Sequence, residues 1–316
     1  MFLTLATQSP KNHKMKQSSF FDVIIIGGSY AGLSAAMTLG RSLKKVLVID
    51  SGEPCNKPTP HSHNFLTQDG KTPSEISSLA KQQVSQYNTV HFHTDVAIDG
   101  KKTAKGFEIA TQSGKKFEAK KLIFATGVKD DIPNIPGFSE CWGKTLIHCP
   151  YCHGYEFHGK KTGIWAPAEK AFHLAGLVNN LTKNLTIITS NTTDFTMEQL
   201  EKLQQHTIKI EKGEIHHIEH ENGNIAHVVF KDGKRLPFDV IYAGIPFEQH
   251  CKIPETLGCD ITEQGYIKID GLQKTTVDGI YACGDNTSPM RSVANAVHQG
   301  NFAGAVINKE LTEENF

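Results

Sequence analysis

The stretch that most restricts what this chain can fold into runs from Val23 to Asp50. Val23-Ile24-Ile25-Ile26 is a β-branched run, and Gly27-Gly28-Ser29-Tyr30-Ala31-Gly32 follows at once. Leu33-Ser34-Ala35-Ala36-Met37-Thr38-Leu39 is built of helix formers, and a second apolar run, Val46-Leu47-Val48-Ile49, ends in Asp50. Strand, glycine turn, helix, strand and acid in that order describe a dinucleotide-binding βαβ unit. Gly27 makes the tight turn in this reading, and Gly32 lets helix and strand pack closely. The free N–H groups at the helix start face a pyrophosphate. Asp50 accepts hydrogen bonds from ribose hydroxyls. Ser29 replaces the middle glycine of G-x-G-x-x-G and is small enough for close backbone approach.

With 316 residues, the chain has length for about two domains of ordinary size. Lys+Arg and Asp+Glu are equal at 33 each, so no net charge draws the chain toward nucleic acid or an acidic membrane surface. No apolar run approaches the roughly 18 residues that span a bilayer. The opening six residues are too short for a secretory h-region and lack a basic lead. A cytoplasmic protein is expected, with residues 1–20 an N-terminal extension whose first 14 residues, ahead of Met15, read as upstream of the natural start. Seven scattered cysteines do not form a secreted disulfide framework. Cys149 and Cys152 stand apart as the single C-x-x-C.

Two more strand-and-turn signals follow the first. Leu122-Ile123-Phe124-Ala125-Thr126-Gly127 is a strand ending in a small-residue turn, with Ile135-Pro136-Gly137 after it. Gly279-Ile280-Tyr281-Ala282-Cys283-Gly284-Asp285 is a strand ending in Gly-Asp, and a helical stretch from Ser292 to Val306 succeeds it. With these markers in this order, residues 21–316 resemble the low-molecular-weight thioredoxin reductases. That resemblance implies an α/β fold of two Rossmann-like domains, the second inserted into the first. The FAD-binding domain is expected over 21–130 and 262–316, with Gly265-Tyr266-Ile267-Lys268-Ile269-Asp270 as its return strand. The pyridine-nucleotide-like domain is expected over 131–261. The resemblance further implies FAD on the first βαβ unit, Asp285 on the ribityl chain, and Arg291-Ser292-Val293 touching flavin. It also matches Asn64 to a flavin-pocket asparagine and implies a homodimer.

The chemistry is carried by Cys149-Pro150-Tyr151-Cys152-His153-Gly154-Tyr155-Glu156. Two thiols two residues apart close a tight disulfide that stays exchangeable. The attacking sulfur must be thiolate and the leaving sulfur must be protonated, which is work for His153 beside them. Thioredoxin reductases usually carry aspartate there; the string resembles a branch reading C-x-x-C-H-G-Y-E, which includes oxidases of sulfur metabolites. The resemblance makes Cys152 the flavin-facing sulfur and Cys149 the one that exchanges with substrate. Glu156 either orients His153 or is a solvated acid. His298 is either a second acid/base or a packed helix histidine. C-P-Y-C is also the glutaredoxin string, but a glutaredoxin places it after the first strand of a small domain. His148, Cys149, Cys152 and His153 offer metal-binding atoms, yet adjacent residues rarely point to one tetrahedral centre, and no second C-x-x-C exists. No metal site is expected. The remaining histidines, His61 and His63 among them, read mostly as surface residues.

A second nucleotide unit follows the dithiol in altered form. Thr162-Gly163-Ile164-Trp165 leads into Ala166-Pro167-Ala168, then a helix to about Leu181 and the strand Leu185-Thr186-Ile187-Ile188. Alanines stand where the first two glycines belong, which hinders the turn and crowds a pyrophosphate. The resembled family carries His-Arg-Arg where this chain has Thr189-Ser190-Asn191, so no cationic clamp meets a 2′-phosphate. Weak or absent NADPH binding is expected. Electrons then reach FAD from a substrate dithiol, from NADH in an atypical fit, or from a protein such as ferredoxin. A disulfide/dithiol oxidoreductase of thioredoxin-reductase type is therefore expected, acting on a thioredoxin-like protein or a small dithiol or disulfide. A dithiol oxidase that passes electrons to oxygen is the alternative, and a non-catalytic flavin redox sensor is a third reading.

Overall fold

The computed structural model describes residues 20–190 and 195–316. Residues 1–19 of the expected N-terminal extension and Asn191 lie outside the described residues. Alternation between apolar runs and glycine-marked turns builds two parallel sheets, and the strand ends of the first create the site.

The chain opens with β1 (Phe20–Ile26), α1 (Tyr30–Arg41), β2 (Val46–Asp50), α2 (Pro73–Val84) and β3 (Val90–Thr94). The hairpin β4 (Ala97–Thr103) and β5 (Gly106–Thr111) then leads into β6 (Lys116–Phe124). β3, β2, β1 and β6 pair in parallel, and the antiparallel hairpin extends the sheet beyond β6. Val23–Ile26 of β1 and Val46–Ile49 of β2 are apolar throughout because both faces of the sheet are covered there. Val23, Ile25, Val46 and Val48 pack beneath α1, whereas Ile24, Ile26, Leu47 and Ile49 join Phe107, Ile109, Leu122 and Phe124 on the other face.

After β7 (Val128–Asp130) and α3 (Phe138–Cys141) the chain enters the inserted domain through β8 (Leu146–Ile147) and α4 (Pro150–His153). There follow β9 (Thr162–Trp165), α5 (Ala168–Val178), β10 (Leu185–Thr189), α6 (Met197–Gln205) and β11 (Lys209–Lys212). An antiparallel set of β12 (Ile215–Glu221), β13 (Asn224–Phe230) and β14 (Arg235–Pro237) precedes β15 (Val240–Ala243). The second parallel sheet runs β11-β10-β9-β15-β8. Ile164, Ile187, Val240 and Tyr242 fill one side of it, and Leu146, Ile188 and Ile241 the other.

The chain leaves this domain through β16 (Phe247–Gln249), which pairs antiparallel with β7 so that Asp130 lies opposite Phe247. Past α7 (Ile253–Thr256), β17 (Ile280–Ala282) joins the first sheet beside β6. The predicted return strand at Gly265–Asp270 is a correction. Only single bridges form there, Ile261 with Ile267 and Ile269 with Thr275, each closed by its own tight turn, with Gly265 at φ +88° in the first and Gln273 at φ +64° in the second. The last helix, α8 (Val293–Glu313), lies against α1. A Cβ on Gly300 would fall 2.0 Å from the Ala31 carbonyl oxygen, so a glycine there is what lets the two helices touch.

Candidate active site

Register brings four strand ends to one level, since Ile26 pairs with Ile49 and Phe124, and Phe124 pairs with Ala282. Ligands in such sheets bind beyond the carboxyl ends of the strands. Here a cavity of about 660 Å³ opens there, lined by Gly27, Gly28, Ser29, Asp50, Asp285, Arg291, Ser292 and Val293, and also by Cys152 and His153. Gly27 sits at φ +103°, where a Cβ would fall 2.2 Å from the Ala125 carbonyl oxygen. Gly32 is just behind the cavity wall, and a Cβ there would meet the Gly27 carbonyl oxygen at 1.9 Å. The Gly28 N–H donates to Asp50 Oδ1 at 2.9 Å, fixing the acid across the turn. Ser29 occupies the N-cap of α1 without a side-chain cap bond, so the first-turn N–H groups keep their donors for a ligand.

A charged triad closes the far side of the cavity. Arg291 donates through Nη1 and Nη2 to the two oxygens of Asp130, at 2.7 and 3.0 Å, and its Nε lies 3.7 Å from Asp285 Oδ2. Burial works against the guanidinium charge, but the Asp130 hydrogen bonds and charge outweigh it and hold Arg291 above its ordinary value. Burial also pushes the Asp285 carboxyl up to about 6, helped by the charge of Asp130 and opposed by Arg291. Cys55 faces the same carboxylate at 3.9 Å.

The two thiols of the C-x-x-C meet with Cys152 Sγ 2.7 Å from Cys149 Sγ. Proline at the start of α4 sets the turn, and Cys149 caps it by accepting the Cys152 N–H at 3.3 Å. The Cys152 thiol hydrogen bond, followed by backbone N–H groups and the nearby Arg291 charge, lowers the Cys149 thiol to about 7 against the opposing effect of burial. Holding its proton on that bond and being buried, Cys152 titrates well above the ordinary thiol range. Cys152 lines the cavity and its sulfur is 3.9 Å from the Arg291 carbonyl oxygen. Cys149 is not part of that lining. Burial, and then the charge of His63, lowers His153 below the usual histidine range, with Glu156 opposing.

Some predicted residues fall elsewhere. Asn64 does not line the cavity: it is exposed at φ +60°, its N–H donates to Asp69 Oδ1 at 2.7 Å, and that turn carries it outward. Neighbouring His61, Ser62 and His63 face the cavity instead. His298 is exposed on α8 and stacks on Phe302, away from the sulfurs. Glu156 approaches His63 at 3.5 Å. Asp130, Cys55 and His63 had no role in the sequence reading, because their partners lie far away in the chain and no spacing announces them; His148 was weighed there only as a metal ligand, and it too lines the cavity. Among the described residues, no group of three or more histidine, cysteine or carboxylate side chains is placed to hold a metal ion.

At the second nucleotide turn, Pro167 caps α5 and offers no side-chain hydrogen bond. A Cβ on Gly244 would fall 2.6 Å from Ala166 Cβ and 2.9 Å from Lys170 Cδ, so those two side chains close over Gly244. Ser190 is exposed at the end of β10.

An open helix start, a bare glycine turn, an acid at the end of β2 and a buried Asp-Arg pair beside a sulfur suit a flavin dinucleotide. The chain belongs to the pyridine nucleotide-disulphide oxidoreductase family, whose description matches residues 21–300. It is similar to thioredoxin reductase tcpT of Claviceps purpurea, 30% identical over 308 residues that cover 94% of this chain and 96% of that one. Its fold matches the crystal structure of a putative thioredoxin reductase TrxB from Bacillus anthracis, with TM-score 0.88, 31% identity and coverage of 94% and 100%. An oxidoreductase from Agrobacterium tumefaciens superimposes with TM-score 0.87 at 38% identity, covering 93% of this chain and 99% of that one. The chain is thus a thioredoxin-reductase-like flavoprotein, an oxidoreductase acting on sulfur groups with FAD as cofactor. No helix among the described residues is long and apolar enough to cross a membrane.

Proposed function

We propose that this enzyme exchanges electrons between FAD and a substrate disulfide or dithiol through Cys149 and Cys152, with His153 carrying the proton. The observation that carries the reading is the division of labour at the sulfur pair. Cys152 faces the cavity, while Cys149, outside its lining, has the lowered thiol of an attacking group. FAD supplies the two-electron acceptor or donor. Gly27, Ser29, Gly32 and Asp50 hold its adenosine diphosphate half, while Asp285 and Arg291-Ser292-Val293 serve the ribityl and flavin half. Asn64 drops out of this set.

The NADPH site does not fit its ligand in this reading, because the methyl groups of Ala166 and Ala168 close the turn where glycines would let a pyrophosphate approach, and Ser190 brings no cation to a 2′-phosphate. That closure favours the oxidase direction: a substrate dithiol is oxidised, the Cys149–Cys152 disulfide is reduced, and electrons leave to oxygen. The proposal includes domain limits of 21–130 with 262–316 and of 131–261, a homodimer in the cytoplasm, and a thioredoxin-like protein or small dithiol as substrate.

Anaerobic titration of the FAD-loaded protein with dithiothreitol, NADPH and NADH in turn tests the electron route. Dithiothreitol is expected to bleach the flavin quickly, NADPH slowly or not at all, and Cys152→Ser to abolish the dithiothreitol response. Fast bleaching by NADPH overturns the closed-site reading. Persistent bleaching of Cys152→Ser by dithiothreitol overturns the dithiol assignment.

A further inference from the structure

Opening the Cys149–Cys152 disulfide expels the Cys152 sulfur first, and that sulfur holds its proton tightly, so a proton has to be delivered deep in the site. His153 follows it in the chain and lines the same cavity. A second group beside His153 can connect it to water. His63 stands in that place. The two rings meet edge to face with centroids 6.5 Å apart, and both line the cavity.

On its other side, His63 Nδ1 is 3.5 Å from Glu156 Oε1 and 3.7 Å from Asp69 Oδ1. Side-chain exposure rises along this line, from 21% at His63 to 37% at Glu156 and 67% at Asp69, so each step lies closer to solvent. The loop is pinned by the Asn64 N–H on Asp69 and by His61 Nδ1, 3.0 Å from the Gly70 carbonyl oxygen. His61 and Asp69 from its own loop, and His153 and Glu156 from the segment around α4, are the titratable groups that face His63.

We propose that His63 is a proton-relay residue, passing protons between His153 at the sulfur pair and the solvent-facing carboxylates of Glu156 and Asp69. The inference rests on the dithiol reading above. As a substrate dithiol reduces the enzyme disulfide, two substrate S–H bonds break and its sulfurs join. The enzyme S–S bond opens, takes the electron pair, and gains two protons as two thiols. The proton lost by the attacking substrate thiol at the mouth returns through Glu156 or Asp69, His63 and His153 to the Cys152 sulfur. Reduction of a substrate disulfide runs the same route outward.

Stopped-flow bleaching of the FAD-loaded protein by dithiothreitol, followed across pH with and without added imidazole, tests the relay. His63→Ala is expected to slow bleaching about 10-fold, with flavin content unchanged, an altered pH profile and recovery on adding imidazole. His63→Gln is expected to be slow and to gain nothing from imidazole. A His63→Ala protein with wild-type rate and pH profile overturns the relay, as does one that is slow yet indifferent to imidazole, since that marks a structural role. If Cys152→Ser still bleaches, the dithiol reading itself has failed, which is a separate result.

Discussion

The proposed role of Asp285 on the ribityl chain sets cofactor binding against stability, and Asp285→Asn separates the two. In the ligand-free protein this carboxyl is 18% exposed, faces the charge of Asp130 across Arg291, and titrates near 6, against an ordinary value of 3.8. At about 1.4 kcal/mol per pH unit, ionising it in the folded protein costs about 3 kcal/mol relative to the unfolded chain. The sign follows from proton counting. Between 3.8 and about 6 the folded state binds more protons than the unfolded state, so stability falls as pH rises through that window. Asparagine keeps the shape without the charge. The apoprotein of Asp285→Asn should match wild type near pH 4 and exceed it by up to about 3 kcal/mol at pH 7.5. Both tryptophans, Trp142 and Trp165, lie outside the first sheet, so fluorescence would follow the wrong half. Amide exchange in β17 and α8 reads the right one. FAD affinity should move the other way, falling about 10-fold as a charge-assisted hydrogen bond is lost. A stability difference that is equal at both pH values, or a variant less stable at pH 7.5, refutes the reasoning.

Alkylation of the reduced protein by iodoacetamide should strike Cys149 first, with a midpoint near pH 7, and Cys152→Ala should shift that midpoint upward; mass spectrometry of the labelled peptide checks both. Gly32→Ala places a methyl 1.9 Å from the Gly27 carbonyl oxygen. It should cost about 3 kcal/mol or more and strip the flavin, as read by urea unfolding and by flavin absorbance per chain. Arg291→Met leaves Asp130, 10% exposed, without its partner. A loss of about 3–5 kcal/mol at neutral pH should appear in the same amide-exchange measurement.

What could be read in advance divides along the range of the signal. The first βαβ unit was legible because its constraints are local: Gly27 and Gly32 are forced by contacts within one turn, and Val23–Ile26 and Val46–Ile49 are apolar because both faces of β1 and β2 are buried. The last helix was readable for the same reason, with Ser292 its N-cap and the helix running on past Val306 to Glu313. β7 and β16 were not, since three-residue strands that pair across more than a hundred positions leave no periodic trace. Asn64, matched by resemblance to a flavin-pocket residue, lies outside the cavity lining. The carboxylate of Asp69 captures its N–H, and the turn rotates the side chain out while bringing His63 in. His63 in turn looked like one of many surface histidines, because nothing near it in sequence foretells His153, 90 positions away. A dithiol announces itself through the spacing of its two sulfurs. His63, Asp130 and Arg291 come from separate parts of the chain and share the cavity wall, so their juxtaposition with the dithiol becomes visible once the chain has folded around it.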